Sequence, residues 1–144
     1  MTIPQALIQS FRSRVRIPDD PSKCWRWMAG VSGGYGMFWT GKKNEVTHRI
    51  MYELLHGEIR KIRTLDHLCR NRICCNPSHL EVVTIGENVL RGEGPTAVNA
   101  RRTECKSGHS FNKENTYYRK SGGRACRVCV KLASKAWRKS KKYA

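Results

Sequence analysis

The sequence predicts an α+β fold of short antiparallel strands and few helices, held together by bound metal more than by a large core. Three observations predict it. Only 39% of the 144 residues are hydrophobic, and a chain with so little core needs staples. Seven cysteines and five histidines include two closely spaced sets, one at 67–79 and one at 105–129. Short β-type runs bounded by Gly, Asn and Pro alternate with helical periodicities of a few turns.

Taken in order, residues 4–16 predict a short helix. Thr2 is placed to cap it, Pro4 suits its first turn, and Leu7, Ile8, Phe11 and Val15 share a face. Pro18 to Pro21 break it. Strands follow at 24–28 and 35–40 across a turn rich in glycine (Gly30, Gly33, Gly34). A third strand lies around 45–47, after the turn Gly41-Lys42-Lys43-Asn44. Thr47 is placed to cap a helix over 48–55, apolar at Ile50, Met51, Leu54 and Leu55, with Gly57 to end it. Residues 64–68 predict a strand, 70–78 an irregular loop and 80–83 a second strand. Thr84-Ile85-Gly86-Glu87 has the capping-box pattern and starts a helix that ends near Gly92. The chain thus divides into an N-terminal helical segment (1–21), a core (22–92), an irregular linker (93–103) and a metal knuckle with a basic helix (104–144).

Charge narrows the class of partner. Lys and Arg number 28 against 11 Asp and Glu, a formal net of +17. Residues 101–144 hold 14 of the basic and 2 of the acidic side chains. Such a lopsided basic balance is the electrostatic footprint of a nucleic-acid binder. No stretch has the apolar length of a membrane span, and Met1–Ser10 lacks the regions of a signal peptide. The cysteines therefore read as reduced thiols of an intracellular, cytoplasmic protein, available as metal ligands.

Cys105-x3-His109 followed by Cys126-x2-Cys129 has the spacing of a closed, tetrahedral structural zinc site. Cys69-x4-Cys74-x4-His79 supplies three ligands of a second, and Cys24 is the remaining cysteine outside that loop. The spacing leaves Cys75 as an alternative to Cys74.

Asp66 and His67 sit together on the first strand of the strand–loop–strand–helix segment, and Asn88 in the first turns of its helix. Folded across the strands, that helix brings Asn88 towards Asp66. Two oxygen donors then suit a magnesium ion that also takes phosphate oxygens and waters. His67 suits proton transfer from an attacking water near neutral pH. Arg49, at the start of its helix, is placed either to contact a scissile phosphate or merely to pack.

The run Asp66-His67-Leu68-Cys69, Cys74, Asn76-Pro77-Ser78-His79-Leu80 and Glu87-Asn88 resembles the HNH superfamily. The spacing His67-x-Cys69-x4-Cys74-x4-His79-x8-Asn88 is similar to that of the His-Cys box homing endonucleases. The frame from Cys24-Trp25-Arg26-Trp27 through His48-Arg49 to Asn88 resembles small phage and intron HNH enzymes, and the Cys105–Cys129 tail their zinc knuckles. The resemblance implies a ββα-metal (His-Me finger) core and a magnesium-dependent DNA endonuclease of homing or phage type. It implies His67 as general base, Asn88 and Asp66 as magnesium ligands, and cleavage to 5′-phosphate and 3′-hydroxyl ends. Cys24, Cys69, Cys74 and His79 match its structural zinc, and Asn76 its middle Asn, which props the loop. His79 as the third histidine on the catalytic metal is the alternative. Asp66 departs from the His-Cys box and is shared with nicking HNH enzymes, leaving nick and double-strand break both open.

Double-stranded DNA is the expected partner, and a homodimer suits a double-strand cutter. Arg127, Lys131, Lys135, Arg138 and Lys142 fall on one helical face suited to phosphates, with Val128, Leu132 and Ala136 on another, available for packing. Arg26, Lys42, Lys43 and Arg124 add to the basic surface, and the 24–40 strands suit a β-ribbon in a groove, unless Trp25 and Trp27 are core. The alternative is a non-catalytic zinc-dependent DNA-binding protein.

Overall fold

A computed structural model describes residues 3–120 and 122–142. Thr2, the expected first cap, lies outside the described residues. The chain folds as two compact units that divide at Arg91 and Gly92.

In the first unit α1 spans Gln5–Arg12 and buries Phe11. It stops before Val15, which the helical periodicity had included. Val15 and Arg16 instead form β1, paired antiparallel with β2 (Arg26–Trp27), Val15 opposite Trp27. A β-branched residue suits that pairing, and it buries Val15 against the same core that α1 covers. Phe11 stacks on Trp27 with ring centroids 5.3 Å apart, and Phe38 meets both edge-on at 5.3 and 6.0 Å. Trp27 is core, not groove-reading ribbon; Trp25 packs beside it.

β3 (Val31–Ser32), β4 (Tyr35–Trp39) and β5 (Asn44–Val46) form an antiparallel sheet in that order. Gly33 and Gly34, at φ 58° and 84°, make the two-residue turn between β3 and β4, a geometry that matches strand twist and demands glycine. α2 runs Thr47–His56 and buries His48, Ile50 and Met51. Thr47 does not cap it: Val46 holds the cap position, and the Thr47 hydroxyl is buried.

β6 (Arg63–His67) pairs antiparallel with β7 (Leu80–Thr84), His67 opposite Leu80 and Asp66 opposite Glu81. α3 (Ile85–Arg91) follows at once. The Thr84 amide donates to Glu87 Oε2 at 2.7 Å and the Glu87 amide to Thr84 Oγ1 at 3.1 Å, a complete capping box. Strand, loop, strand and helix make the ββα unit. Its loop is irregular but not loose. The Trp27 amide donates to Ile73 O at 3.1 Å and the Cys75 amide to Trp25 O at 2.7 Å, which lays the loop along β2. Asn76, 2% exposed, donates from Nδ2 to the carbonyls of Pro21 (3.0 Å) and Lys23 (2.7 Å) while Oδ1 accepts from the amide and hydroxyl of Ser78.

The second unit contains a helix where an irregular linker was expected: α4, Pro95–Arg101, with Pro95 in its first turn and Ala97 fully buried. Its seven residues carry no strong apolar period, so propensity and a start signal are all that mark it. β8 (Thr116–Tyr118) and β9 (Arg124–Cys126) form a hairpin, and α5 spans Arg127–Lys141. The face of α5 bearing Val128 and Leu132 does not pack: they are 39% and 57% exposed. Among the described residues no helix is long and apolar enough to cross a membrane.

Gly36 of β4 has the least room for a side chain among the glycines of the first unit. A methyl group there would lie 2.7 and 2.9 Å from indole carbons of Trp27 and against the Thr47 hydroxyl. Gly36→Ala should destabilise the protein by about 1–3 kcal/mol, the usual cost of overpacking. The check is the urea midpoint of unfolding; an unchanged midpoint would mean that the strand and indole part without cost.

Candidate functional site

The first cluster joins residues from distant parts of the unit. Cys24 precedes β2, Cys69 and Cys74 lie in the β6–β7 loop, and His79 ends the 3₁₀ turn Pro77–His79. Their ligand atoms all lie within 4.8 Å of one another. His79 Nδ1 is 3.5 Å from Cys24 Sγ and 3.6 Å from Cys74 Sγ. Bond lengths of about 2.3 Å to sulfur and 2.0 Å to nitrogen give tetrahedral S···N edges of about 3.5 Å, so the donors fit zinc. His79 Nε2 lies 2.8 Å from Ser22 O. A carbonyl only accepts, so Nε2 carries the proton and Nδ1 faces the cluster as a bare donor. Burial, opposed by the Asn76 amide and reinforced by Cys24 and Cys69, pushes the Cys74 thiol up to about 12. A divalent cation is what such a group of thiols needs in order to ionise. Cys75 is not in the cluster; it is fully buried in the hydrophobic core.

The second cluster, Cys105, His109, Cys126 and Cys129, is built by the knuckle and the start of α5, again with ligand atoms within 4.8 Å. Cys105 Sγ is 3.7 Å from Cys129 Sγ, and His109 Nδ1 lies 3.4 and 3.3 Å from the two sulfurs. Amides of Ser107 and His109 donate to Cys105 Sγ, and that of Cys129 to Cys126 Sγ, each at 3.4 Å. Gly108, at φ 76°, turns the knuckle so that these amides converge. Both clusters can hold zinc.

His67 and Asp66, at the end of β6, are buried at 6% and 3% exposure. His67 Nε2 lies 3.2 Å from Cys74 O. The carbonyl again fixes the proton on Nε2, leaving the Nδ1 lone pair unpartnered among the described residues. Burial holds the His67 pKa below its usual value, with the charge of Arg72 adding to that, against the Cys74 carbonyl and Asp66. The imidazole meets that of His48 edge-on at 4.5 Å and the Tyr35 ring at 6.1 Å. Desolvation, then the neighbouring His67 and Arg49, push His48 down to about 3, so it is neutral.

Asp66 takes Arg70 Nη1 at 2.9 Å on one oxygen and Arg91 Nη1 at 3.4 Å on the other. Arg91 also grips Glu81 at 2.5 and 3.3 Å. Asp66 and Glu81 are cross-strand neighbours, and one guanidinium between them offsets their repulsion. Arg91 reaches Asp66 from α3, and Asn88 lies one turn earlier on that helix, half-buried. Arg49 is elsewhere engaged: Nε donates to Glu53 Oε1 at 2.9 Å and Nη2 to Ile59 O at 3.0 Å. The structure gives it a packing role between α2 and the next loop.

Residues 45–90 match the model of the HNH endonuclease family. That segment is an HNH endonuclease domain. It runs from β5 through α2 and the ββα unit to α3 and includes Asp66, His67 and Asn88, but neither Cys24 nor the second unit. Protein 2.8 of Escherichia phage T7 is 37% identical over 76 residues, 51% of each chain. The uncharacterized gene 5.3 protein of Enterobacteria phage T3 is 34% identical over 50 residues, 35% of this chain and 50% of its own. The chain spans about half the length of the curated relatives it matches. No solved structure matches it significantly.

The basic residues divide by what else they hold. Lys131, Lys135 and Arg138 lie exposed along α5 and Lys142 just past its end, Arg26 and Lys42 on the first unit. Lys43 pairs with Glu45. Arg124 is committed inside its unit, donating to Asn99 O and Arg102 O and covering the Phe111 ring at 4.1 Å. Arg127 donates to Thr116 O at 3.3 Å. Of the three groups around His67, Tyr35 is legible in the sequence only as a candidate β-ribbon residue and His48 only as part of the His48-Arg49 frame. Nothing marks Arg72, and none of the three stands in a ligand spacing; the Gly33-Gly34 turn, which sets Tyr35, is the available signal.

Zinc analysis of the purified chain should return two ions, one for each cluster. Cys74→Ala should lower that to one, whereas Cys75→Ala should keep both and lose only core packing. The opposite result would move the ligand to Cys75.

Proposed function

We propose that the chain is a magnesium-dependent DNA endonuclease that hydrolyses phosphodiester bonds with His67 as general base. One observation carries the reading. His67 Nε2 is tied to the Cys74 carbonyl inside a matched HNH domain, so the neutral ring keeps Nδ1 free to accept a proton. Nδ1 takes the proton of an attacking water as the oxygen adds to phosphorus and the 3′ oxygen departs. The products are a 5′-phosphate and a 3′-hydroxyl.

Asp66 precedes His67 on β6, and Asn88 lies on α3, which packs against that strand. A carboxylate and an amide oxygen are donors that a hard cation accepts, and each Asp66 oxygen keeps a lone pair beyond the guanidinium it accepts. A magnesium ion held there would neutralise charge on the scissile phosphate and the leaving oxygen. Arg70 and Arg91 hold Asp66 in place and offset the cost of burying its charge.

Double-stranded DNA is the substrate that this reading favours, with the α5 stripe of Lys131, Lys135, Arg138 and Lys142 on its phosphates. Cleavage of both strands in a small chain calls for two copies, each addressing one strand.

The test is supercoiled plasmid incubated with magnesium or with EDTA, beside His67→Ala of full zinc content. Magnesium-dependent nicking or linearisation is expected, with a loss on the order of 10²–10⁴-fold in the variant. Retardation without cleavage, equal in both proteins, would instead indicate a zinc-dependent binding protein. The base works when neutral, and its pKa lies below 6.5. kcat/KM should therefore fall tenfold per pH unit below that depressed pKa and level off above it. A rate still rising steeply from about pH 7 to 8 would assign that limb to another group.

A further inference from the structure

Five arginines lie in or against the ββα unit, and four are engaged. Arg49 pairs with Glu53, Arg63 with Glu87, and Arg70 and Arg91 with Asp66. Arg72 has no carboxylate partner among the described residues and is exposed. It is nevertheless held. Its guanidinium carbon lies 5.4 Å from the centroid of the Tyr35 ring, and its side chain runs past Gly34, where a methyl group would touch it at 3.6 and 3.7 Å. Its backbone neighbours are pinned on both sides. The Ile73 amide donates to Asn71 Oδ1 at 3.3 Å, and Ile73 O accepts from the Trp27 amide at 3.1 Å.

The same Tyr35 ring lies 6.1 Å from His67 and 5.6 Å from His48. Guanidinium and candidate base therefore flank one aromatic platform. An unpaired guanidinium fixed on an aromatic face suits a phosphodiester, since stacking orders the planar fork while its N–H groups remain free for two phosphate oxygens. Lysine would bring charge without the fork or the stacking.

We propose that Arg72, carried on the face of Tyr35, grips the scissile phosphodiester of bound DNA beside His67, an assignment that rests on the nuclease reading above. Arg72 then neutralises charge that grows on the phosphoryl oxygens during attack, so its weight falls on the chemical step more than on DNA affinity.

The experiment compares wild type, Arg72→Ala, Arg72→Lys and His67→Ala, each verified to contain full zinc and to melt normally. Plasmid cleavage in magnesium gives kcat and KM, and retention of a duplex in EDTA gives affinity. The expected result is a kcat for Arg72→Ala lower by on the order of 10²-fold, with affinity changed less than about threefold and partial recovery in Arg72→Lys. Wild-type kcat in Arg72→Ala, or a loss confined to KM and affinity, would overturn the assignment and leave Arg72 an ordinary phosphate contact. If wild type binds DNA but does not cleave it, the nuclease reading itself fails and takes this assignment with it. The two failures are thus distinguished by the wild-type lane.

Discussion

The position of one residue, Cys74, links nearly everything of consequence in the first unit. Its sulfur belongs to the Cys24, Cys69 and His79 cluster, and its carbonyl lies 3.2 Å from His67 Nε2. It forms an isolated bridge with Arg26, so the loop that carries it also runs beside β2. The structural cluster and the candidate base are therefore one mechanical object. A metal bound at the cluster would order Cys74 and with it the carbonyl that fixes the imidazole tautomer, an effect transmitted through a single residue's backbone. Asn76 completes the joint by satisfying the carbonyls of Pro21 and Lys23, which flank the approach to Cys24.

Charge around Asp66 follows from the same compactness. A carboxylate 3% exposed cannot stand alone, and β7 sets Glu81 directly opposite it. Two guanidiniums answer that, one from α3 and one from Arg70. Arg70 adopts φ 57°, the one positive value among the described non-glycine residues. A left-handed backbone at such a residue costs free energy, which the Asp66 pair and the closing of the loop offset. The arginines thereby hold the carboxylate in one orientation from both of its oxygens.

What was legible in the sequence, and what was not, follows from how each feature is encoded. Ligand spacing is local, so the donor sets could be read from Cys69-x4-Cys74-x4-His79 and from the 105–129 knuckle. The capping box at Thr84 and Glu87 is local too, and it sets where α3 begins. Cys24 had only elimination behind it, because the contact that seats it is made across 55 residues, to His79. Arg49 and Arg72 show the limit best. Both are arginines near an HNH motif, and the sequence offers nothing to rank them. The difference arises in three dimensions: Glu53 sits one helical turn after Arg49 and captures it, whereas Arg72 has no carboxylate partner among the described residues and lies over the Tyr35 ring. Val15 fitted a helical face and yet joined a strand, because the indole of Trp27 offered it a better burial than a fourth helical turn.

The two units depend on metal to different degrees. The first has an aromatic nucleus of Phe11, Trp27 and Phe38, with Ile50 and Met51 beneath it, and a second small cluster of Ile59, Leu65 and Leu80. Among the described residues of the second, only Ala97, Ala125 and Cys126 are buried apolar groups, and two of those are alanines. Such a unit cannot exclude enough apolar surface to offset the entropy of ordering its chain. Its cohesion must come from cross-links: the Cys105 cluster that joins the knuckle to α5, and the Arg124 guanidinium that joins β9 to the end of α4. Zinc bound in these clusters would thus be a folding partner for the second unit and a positioning device in the first, where the carbonyl facing His67 belongs to a residue of the cluster. Loss of zinc from the first cluster would act on the chemistry before the fold, and loss from the second on the fold itself.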